Sequence, residues 1–499
     1  MQLRKLLSAV SVKHVEGNLD REITGLAYDS RRVSAGKVFV ACRGLNSDGH
    51  EYISEAIDRG AVAVVCERNG FVSHKAAKIV VEDSREVMAL MAAEFYGHPS
   101  RQMKVIGITG TNGKTTTAFI LKHLLEAHGM KTGLVTTVHY QVGDRILPAQ
   151  RTTPEALDLQ HLMAQMVRSG MQACVMEVSS HALMQNRVDY VEFDAGVFTN
   201  LTQDHLDYHR DMESYFAAKQ RFFKILDARG DAACVIANND DEYGRRVLRE
   251  TTVPNQVSFG TLGGSELSVE KIELTSDGMT FDVTVGDETV SVTSGLVGRH
   301  NVYNMLAAMG VVHAMRLPLQ ETVAAMSKVP PVPGRLECID MGQTFNVIVD
   351  YAHTADALEN VLKTLREITP GRLLLTFGCG GNRDAGKRMQ MGEIAAKLAD
   401  YTVVTSDNPR KEPPAAIAAQ IEAGYRSVRS DGERAILDRH LAIADVIHRA
   451  KLGDTVLIAG KGHETFQEQH DAVVPFDDRR HAAEVLQDMD GGRRILRAA

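Results

Sequence analysis

The sequence predicts an α/β protein built on mostly parallel sheets and divided into three regions. Three observations carry that expectation. Short apolar runs recur along the chain and end in small or polar residues: KVFVAC, AVAVVC, KVIGITG, ACVMEVSS, DAGVFTNL, FNVIVDYAH, RLLLTFGCGG, YTVVTSD and DTVLIAGKGHE. Helical patterns separate them, the alternation of a parallel sheet with crossover helices. The chain has 499 residues, too many for one hydrophobic core. Two segments break the pattern: YGHPSRQM at 96–103, and VPPVPGR at 329–335, which holds three of the thirteen prolines.

In order along the chain, MQLRKLLSAVSV has too short and interrupted an apolar run for a signal peptide and is expected to form a surface helix. Residues 1–100 then read as a small α/β unit around KVFVAC and AVAVVC. Residues 101–332 open with KVIGITGTNGKTTTAFILKHLLEAHG, a strand, a glycine-rich turn and a helix. Within them LSVEKIEL, MTFDVTV and ETVSVTSG alternate apolar and polar residues, so an antiparallel patch is expected beside the parallel sheet. Residues 333–499 return to the parallel theme. Ligands of open α/β sheets bind at the carboxyl ends of the strands.

Composition excludes several classes. A net charge of -8 gives no footprint for nucleic acid or an anionic membrane. No stretch offers about 18 uninterrupted apolar residues, so no membrane span is expected. Six scattered cysteines without a CxxC pair fit reduced thiols in a cytoplasmic enzyme.

ITGTNGKTTT is the strongest local signal. Gly110, Thr111, Asn112 and Gly113 form a turn whose backbone N–H groups point at phosphate oxygens, and the following helix adds its positive end. Lys114 can reach the outer phosphates, Thr115 can reach Mg²⁺, and Thr116 follows on the helix. The strict P-loop has glycine where this chain has Ile108, so the loop is a variant. A plain glycine-rich turn is the competing explanation, and Gly-Lys-Thr-Thr after a clean strand weighs against it.

Further segments follow in a fixed order: EVSSHAL (177–183), FTNLTQDHLDYH (198–209), YFAAKQRFF (215–223), GRHNVYNMLAA (298–308), GRLE (334–337), VDYAHTADAL (349–358), GCGGNRDAGKR (378–388), SDNPR (406–410) and GKGHE (460–464). With TGTNGKTT, this set resembles the Mur ligases, ATP-dependent enzymes that add amino acids to the peptidoglycan precursor, and within them the branch that adds meso-diaminopimelate. The match spans nearly the whole chain. It implies a three-domain architecture: a UDP-binding domain at 1–100, a central P-loop ATPase domain at 101–332, and a Rossmann-like amino-acid-binding domain at 333–499.

The reaction implied is amide formation through an acyl phosphate, with ATP, UDP-N-acetylmuramoyl-L-Ala-D-Glu and meso-diaminopimelate as substrates and Mg²⁺ as cofactor. By the resemblance Lys114, Glu177, His205 and Lys219 are the catalytic set. Glu177 and His205 hold Mg²⁺ with Thr115, and Lys219 does so as a carbamate. Taken alone, a Glu at a strand end is a solvated rim residue, a lone His is structural, and a Lys on an amphipathic helix faces solvent. Asn304, supported by Asn301, matches the adenine contact. Asp350 matches the ribose contact, and Arg335 a phosphate contact made on closure. YDSRRV and RGLNSDGHEY place Tyr28, Ser30, Leu45, Asn46 and Ser47 at the nucleotide of the precursor. Thr152, Thr153, Ser179, Gln185 and Arg187 match the muramyl-peptide contacts. Arg151 departs from relatives that carry Asn there.

Diaminopimelate is lysine with an added carboxylate. A selective site needs a guanidinium, whose planar fork grips a carboxylate in two bonds. Arg410 and Arg383 are the candidates, with no assignment of carboxylates between them. Asp407 and Asn408 supply oxygens for an ammonium, Pro409 stiffens the loop, and Gly460 and Glu464 complete the family pattern. Three rivals stand beside this expectation: a Mur ligase adding L-lysine, a folylpolyglutamate synthetase-like ligase, and a P-loop ATPase acting as a switch. A cytoplasmic monomer without nucleic-acid partners is expected.

Overall fold

A computed structural model gives the fold and describes residues 1–44, 47–203 and 208–498, with the backbone alone for 490–498. The chain divides into two compact units, Met1–Ser268 with Asn304–Thr322, and Val269–Tyr303 with Val323–Ala499.

The first unit holds two sheets. The N-terminal one comprises β1 (His14–Glu16), β2 (Gly25–Ala27), β3 (Lys37–Val40), β4 (Ala63–Cys66) and β5 (Ala77–Val80), in the order β1-β5-β4-β3-β2. Strands β2 to β5 run parallel, and β1 joins β5 antiparallel. The opening segment forms a short helix at the surface, as expected, with Gln2, Arg4, Lys5 and Ser8 exposed. Its helix is only Leu3–Leu7, and Leu3, Leu6 and Leu7 are buried in the core of this sheet. Their i, i+3, i+4 spacing makes one apolar face, which turns inward while the polar face stays exposed.

The central sheet contains β6 (Lys104–Thr109), β7 (Thr132–Val135), β8 (His139–Val142), β9 (Arg145–Pro148), β10 (Ala173–Glu177), β11 (Ala195–Phe198), β12 (Cys234–Asn238) and β13 (Gln256–Gly260). Their order is β13-β12-β11-β6-β10-β7-β8-β9, parallel as far as β7 and antiparallel beyond. Its inner strands are buried along their length, as in a sheet with both faces covered. Gly107 of β6 lies in register with Gly196 of β11. A Cβ at Gly107 would stand 2.5 Å from Cζ of Phe222, and one at Gly196 would stand 2.2 Å from Cδ1 of Leu226. Both side chains come from the helix Met212–Asp227, so two absent methyl groups form the notch in which that helix rests.

Strand β14 (Leu267–Thr275) begins beside β13, where Leu267 pairs with Phe259. In the second unit β15 (Gly278–Val285) and β16 (Glu288–Ser294) pair antiparallel from Met279↔Ser294 to Val285↔Glu288, as expected for MTFDVTV and ETVSVTSG, whereas LSVEKIEL opens parallel to β13. The C-terminal sheet comprises β17 (Glu337–Cys338), β18 (Asn346–Asp350), β19 (Leu373–Phe377), β20 (Tyr401–Val404), β21 (Glu433–Ala435) and β22 (Thr455–Ala459), in the order β17-β18-β22-β19-β20-β21. All but β17 run parallel. A hairpin of β23 (Phe466–Gln469) and β24 (Ala472–Pro475) follows. Among the described residues no helix is long and apolar enough to cross a membrane.

Candidate active site

The glycine-rich loop leaves β6 at Gly110, with φ +145°, and enters the helix Lys114–Ala127 at Gly113, with φ +85°. Both positions are left-handed, and neither has room for a side chain. A Cβ on Gly110 would meet Thr199 Oγ1 at 1.9 Å, and one on Gly113 would meet Asn304 Oδ1 at 2.2 Å. The segment after β11 pins the loop. Thr111 N donates to Asn200 O at 2.9 Å, Asn112 N to Asn200 Oδ1 at 2.9 Å, and Thr199 Oγ1 to Asn112 O at 2.6 Å.

Two lysines converge on this loop. Lys114 Nζ donates to Gly110 O at 2.9 Å and to Thr111 O at 2.8 Å. Lys219 Nζ donates to the same Gly110 O at 2.8 Å. The structure overturns a solvent-facing Lys219: it is 1 % exposed, with its ammonium 4.6 Å from the Tyr215 ring. Beside them Thr115 Oγ1 donates to Glu177 Oε1 at 2.9 Å. Glu177, 1 % exposed, is no rim residue, for it also accepts from Thr137 N at 2.9 Å. Thr116 is buried on the same helix. Asn304 reaches the loop, accepting from Thr117 Oγ1 at 3.4 Å. Among the described residues no group of three or more His, Cys, Asp or Glu side chains is arranged for a metal ion. His205, Leu45 and Asn46 lie outside the described residues.

Ser47, Thr152, Thr153, Ser179, Gln185 and Arg187, all chosen from the sequence, line one cavity of about 440 Å³. Glu155 organises it, and sequence reasoning missed it. Its Oε2 accepts from Arg85 Nη1 at 3.1 Å, its Oε1 pairs with Arg187 Nη2 at 3.0 Å, and Arg151 Nε stands 3.7 Å away. Three guanidiniums share one buried carboxylate, leaving the wall net positive. Burial pulls the Arg187 pKa below its ordinary value, although Glu155 opposes this. Arg187 also donates to Thr153 O at 3.1 Å and to Gln185 Oε1 at 2.7 Å, while Ser179 caps the helix Ser180–Met184. Tyr28 and Ser30 do not line this cavity. Tyr28 OH donates to Asp158 Oδ2 at 2.5 Å beside a smaller cavity of about 220 Å³, and burial with Asp158 pushes its pKa up. Ser30 Oγ donates to Glu55 Oε2 at 2.9 Å.

The second unit gathers most of its chosen residues at the ends of β18, β20 and β22. Asp407 and Asn408 are buried after β20. Asn408 donates to Glu464 Oε2 at 2.9 Å and accepts from Lys461 Nζ at 3.1 Å; Lys461, fully buried, also donates to Glu464 at 2.9 Å. Gly460, with φ +114°, donates from N to Asp350 O at 3.1 Å. Arg410, after Pro409, has φ +52°; its Nε pairs with Glu468 Oε2 at 2.5 Å and its Nη1 donates to Gly381 O at 3.0 Å. Arg383 is exposed, while the unselected Arg388 is buried and grips Glu412 at 2.9 and 3.0 Å. Asp350 accepts from Leu336 N and Ala352 N, both at 2.8 Å. Burial pushes its carboxyl up, with Arg335 pulling the other way. The Arg335 guanidinium lies 4.6 Å from the Tyr351 ring. Asn301 donates to Val297 O at 2.8 Å. Below the strand ends Arg439 and Asp478, both inaccessible, form a two-pronged pair at 2.7 and 2.7 Å. Arg439 also donates to Ser406 O at 3.3 Å and Ala459 O at 3.0 Å.

Comparison with protein families returns three matches in sequence order: the Mur ligase family catalytic domain over residues 22–96, the Mur ligase middle domain over 108–312, and the Mur ligase glutamate ligase domain over 334–462. The chain belongs to the Mur ligase family. A similar Mur ligase is the UDP-N-acetylmuramoyl-L-alanyl-D-glutamate--2,6-diaminopimelate ligase of Syntrophomonas wolfei, 45 % identical, with 97 % of this chain and 99 % of that one covered. A solved structure of a ligase of that name aligns with TM-score 0.70 and 28 % identity over 98 % of this chain and 99 % of the other. The MurF ligase of Thermotoga maritima, solved with ADP, shares the fold at TM-score 0.61 and 20 % identity, over 94 % of this chain and 96 % of that one.

Proposed function

We propose that this Mur ligase joins the amine of meso-2,6-diaminopimelate to the γ-carboxylate of D-glutamate in UDP-N-acetylmuramoyl-L-Ala-D-Glu, with ATP as the energy source. The convergence of Lys114 and Lys219 on the Gly110 carbonyl carries this reading. The Lys114 ammonium offsets phosphate charge there, and Lys219, as the carbamate that the family resemblance implies, would bring an anion able to hold Mg²⁺ to the same point, which suits a step that crowds phosphate and carboxylate charges together. A γ-carboxylate oxygen attacks the terminal phosphorus of ATP and ADP leaves. The neutral amine then attacks the acyl phosphate carbon; the C–N bond forms, the C–O bond breaks, and phosphate departs with the amine's surplus proton lost to water.

Each group has an assigned task. The N-terminal end of the helix Lys114–Ala127 and the Lys114 side chain hold the outer phosphates, since the Thr111 and Asn112 N–H groups are taken by Asn200. The hard oxygens of Thr115 and Glu177 fit Mg²⁺, which when bound neutralises phosphate charge, and the family resemblance adds His205 and a carbamate on Lys219. Asn304, Asn301, Asp350 and Arg335 serve the adenosine and phosphate of ATP. The cavity around Arg187 and Glu155, which Ser47 also lines, takes the anionic precursor, and Tyr28 and Ser30, outside that cavity, are assigned to its nucleotide from the family resemblance. Asp407, Asn408, Gly460 and Glu464 face the ammonium of diaminopimelate, and Arg410 and Arg383 face its carboxylates. We assign the three domains to 1–100, 101–332 and 333–499, and a monomer in the cytoplasm.

The test is phosphate release with ATP, Mg²⁺ and the precursor, comparing meso-diaminopimelate with L-lysine in the parent and in Arg410→Ala. Turnover with diaminopimelate, roughly 100-fold poorer with lysine, is expected, because lysine offers no carboxylate to the remaining N–H donors of Arg410. Equal use of lysine would discard the selector, and no release with either amine would discard the ligase.

A further inference from the structure

We propose that Glu468 is a positioning residue for Arg410 and thereby sets the preference for an amine substrate carrying a second carboxylate. This rests on the reading of Arg410 as the carboxylate-binding group.

The hairpin of β23 and β24 holds the loop Asp407–Arg410 at nearly every residue. Gln467 Nε2 donates to Asp407 O at 2.6 Å, and Glu468 N donates to Asn408 Oδ1 at 2.9 Å. Arg410 N donates to Glu468 O at 3.1 Å, and Arg410 O accepts from His470 N at 2.7 Å. These two backbone bonds secure the left-handed conformation of Arg410, φ +52°, which a non-glycine residue adopts only when its surroundings impose it. The backbone therefore aims the side chain before any ligand arrives.

Glu468 then fixes the guanidinium. Its Oε2 takes the Nε–H of Arg410 at 2.5 Å, while Gly381 O takes one Nη1–H at 3.0 Å. A guanidinium has five N–H groups, so donors remain on both Nη atoms. An incoming carboxylate meets a fork whose plane is already set. The Arg410 and Glu468 side chains are 23 % and 34 % exposed, so the pair is ordered yet open to solvent. Without Glu468 only the Gly381 carbonyl holds the guanidinium, and more of the cost of ordering it falls on the substrate. That loss touches only an amine that uses Arg410. Diaminopimelate does, and lysine, which lacks the second carboxylate, does not. The opposite sign has its own physical logic: Glu468 would be a competitor if it occupied the donors that the substrate needs.

The experiment measures phosphate release by the full-length enzyme at saturating ATP and precursor. The amines are meso-diaminopimelate and L-lysine, and the proteins are the parent, Glu468→Ala, Glu468→Gln and Arg410→Ala. In Glu468→Ala, KM for diaminopimelate is expected to rise about tenfold with kcat falling less than twofold, while kcat/KM for lysine holds steady. Glu468→Gln keeps an acceptor for Nε–H and should recover part of the KM. An unchanged or lowered KM for diaminopimelate in Glu468→Ala would overturn the inference, as would equal losses with both amines. If Arg410→Ala keeps the parent's preference, the selector reading of Arg410 fails, and this inference with it. If Arg410→Ala loses that preference and Glu468→Ala does not, Glu468 alone is refuted.

Discussion

The Arg439–Asp478 pair offers the sharpest test of how the amino-acid site is held. Replacing Asp478 with Ala leaves a fully buried guanidinium with only the carbonyls of Ser406 and Ala459. Burial works against the Arg439 charge, but the Asp478 carboxylate and its hydrogen bonds more than offset this and keep the pKa raised. Removing one partner of such a pair costs about 3–5 kcal/mol. At roughly 2–4 °C per kcal/mol for a unit of this size, the unfolding midpoint of the second unit should fall by on the order of 10 °C. The double variant Arg439→Met, Asp478→Leu removes both charges and should regain much of that loss. Full recovery is not expected, because two buried carbonyls lose a donor at about 1 kcal/mol or more each. The assay is calorimetry of the parent, Asp478→Ala, and the cycle of Arg439→Met, Asp478→Leu and their double variant. Since Ser406 precedes Asp407 and Ala459 precedes Gly460, KM for diaminopimelate should also rise in Asp478→Ala. A midpoint within 2–3 °C of the parent, roughly 1 kcal/mol, or strictly additive single effects, would refute the claim that this pair is desolvated and structural.

Two further outcomes are expected. Lys219→Ala should retain less than about 1 % of kcat, and added formate or acetate should restore part of it; full activity in that variant would remove Lys219 from the chemistry. The Cys174 and Cys379 thiols, pushed up to about 12 by burial, should resist a thiol reagent at pH 8 in the native enzyme and react once it is unfolded. Only about one thiol in ten thousand is ionised at that pH, so rapid native labelling at either position would contradict the packing.

Strand ends and the phosphate loop were legible because their signals are local: an apolar run, then Gly-Lys-Thr-Thr or Asp-Asn-Pro-Arg. The N-terminal surface helix was legible, but its buried face was not, because a five-residue helix shows little periodicity and only the sheet beside it reveals which face turns inward. The burial of Lys219 was invisible for a related reason, since YFAAKQRFF does not say which of its faces the Gly107–Gly196 notch receives. Partners distant in sequence were the main loss. Glu155 meets Arg85 across 70 residues, and Arg410 meets Glu468 across two helices and two strands; no spacing rule connects them.

The notch has a consequence for where damage to catalysis can arise. Phe222 sits three residues after Lys219 on one helix, and its ring occupies the space that two missing methyl groups leave in the sheet. The depth to which that ring sinks sets how far the amine reaches toward the loop, much as a shim under a bearing sets the alignment of a shaft. A methyl inserted at Gly107 would stand 2.5 Å from Phe222 Cζ, so ring or helix must retreat by about 1 Å, enough to loosen a 2.8 Å bond at its working end. A survey of random substitutions should therefore find folded but inactive variants deep in the core, at positions that no substrate ever approaches.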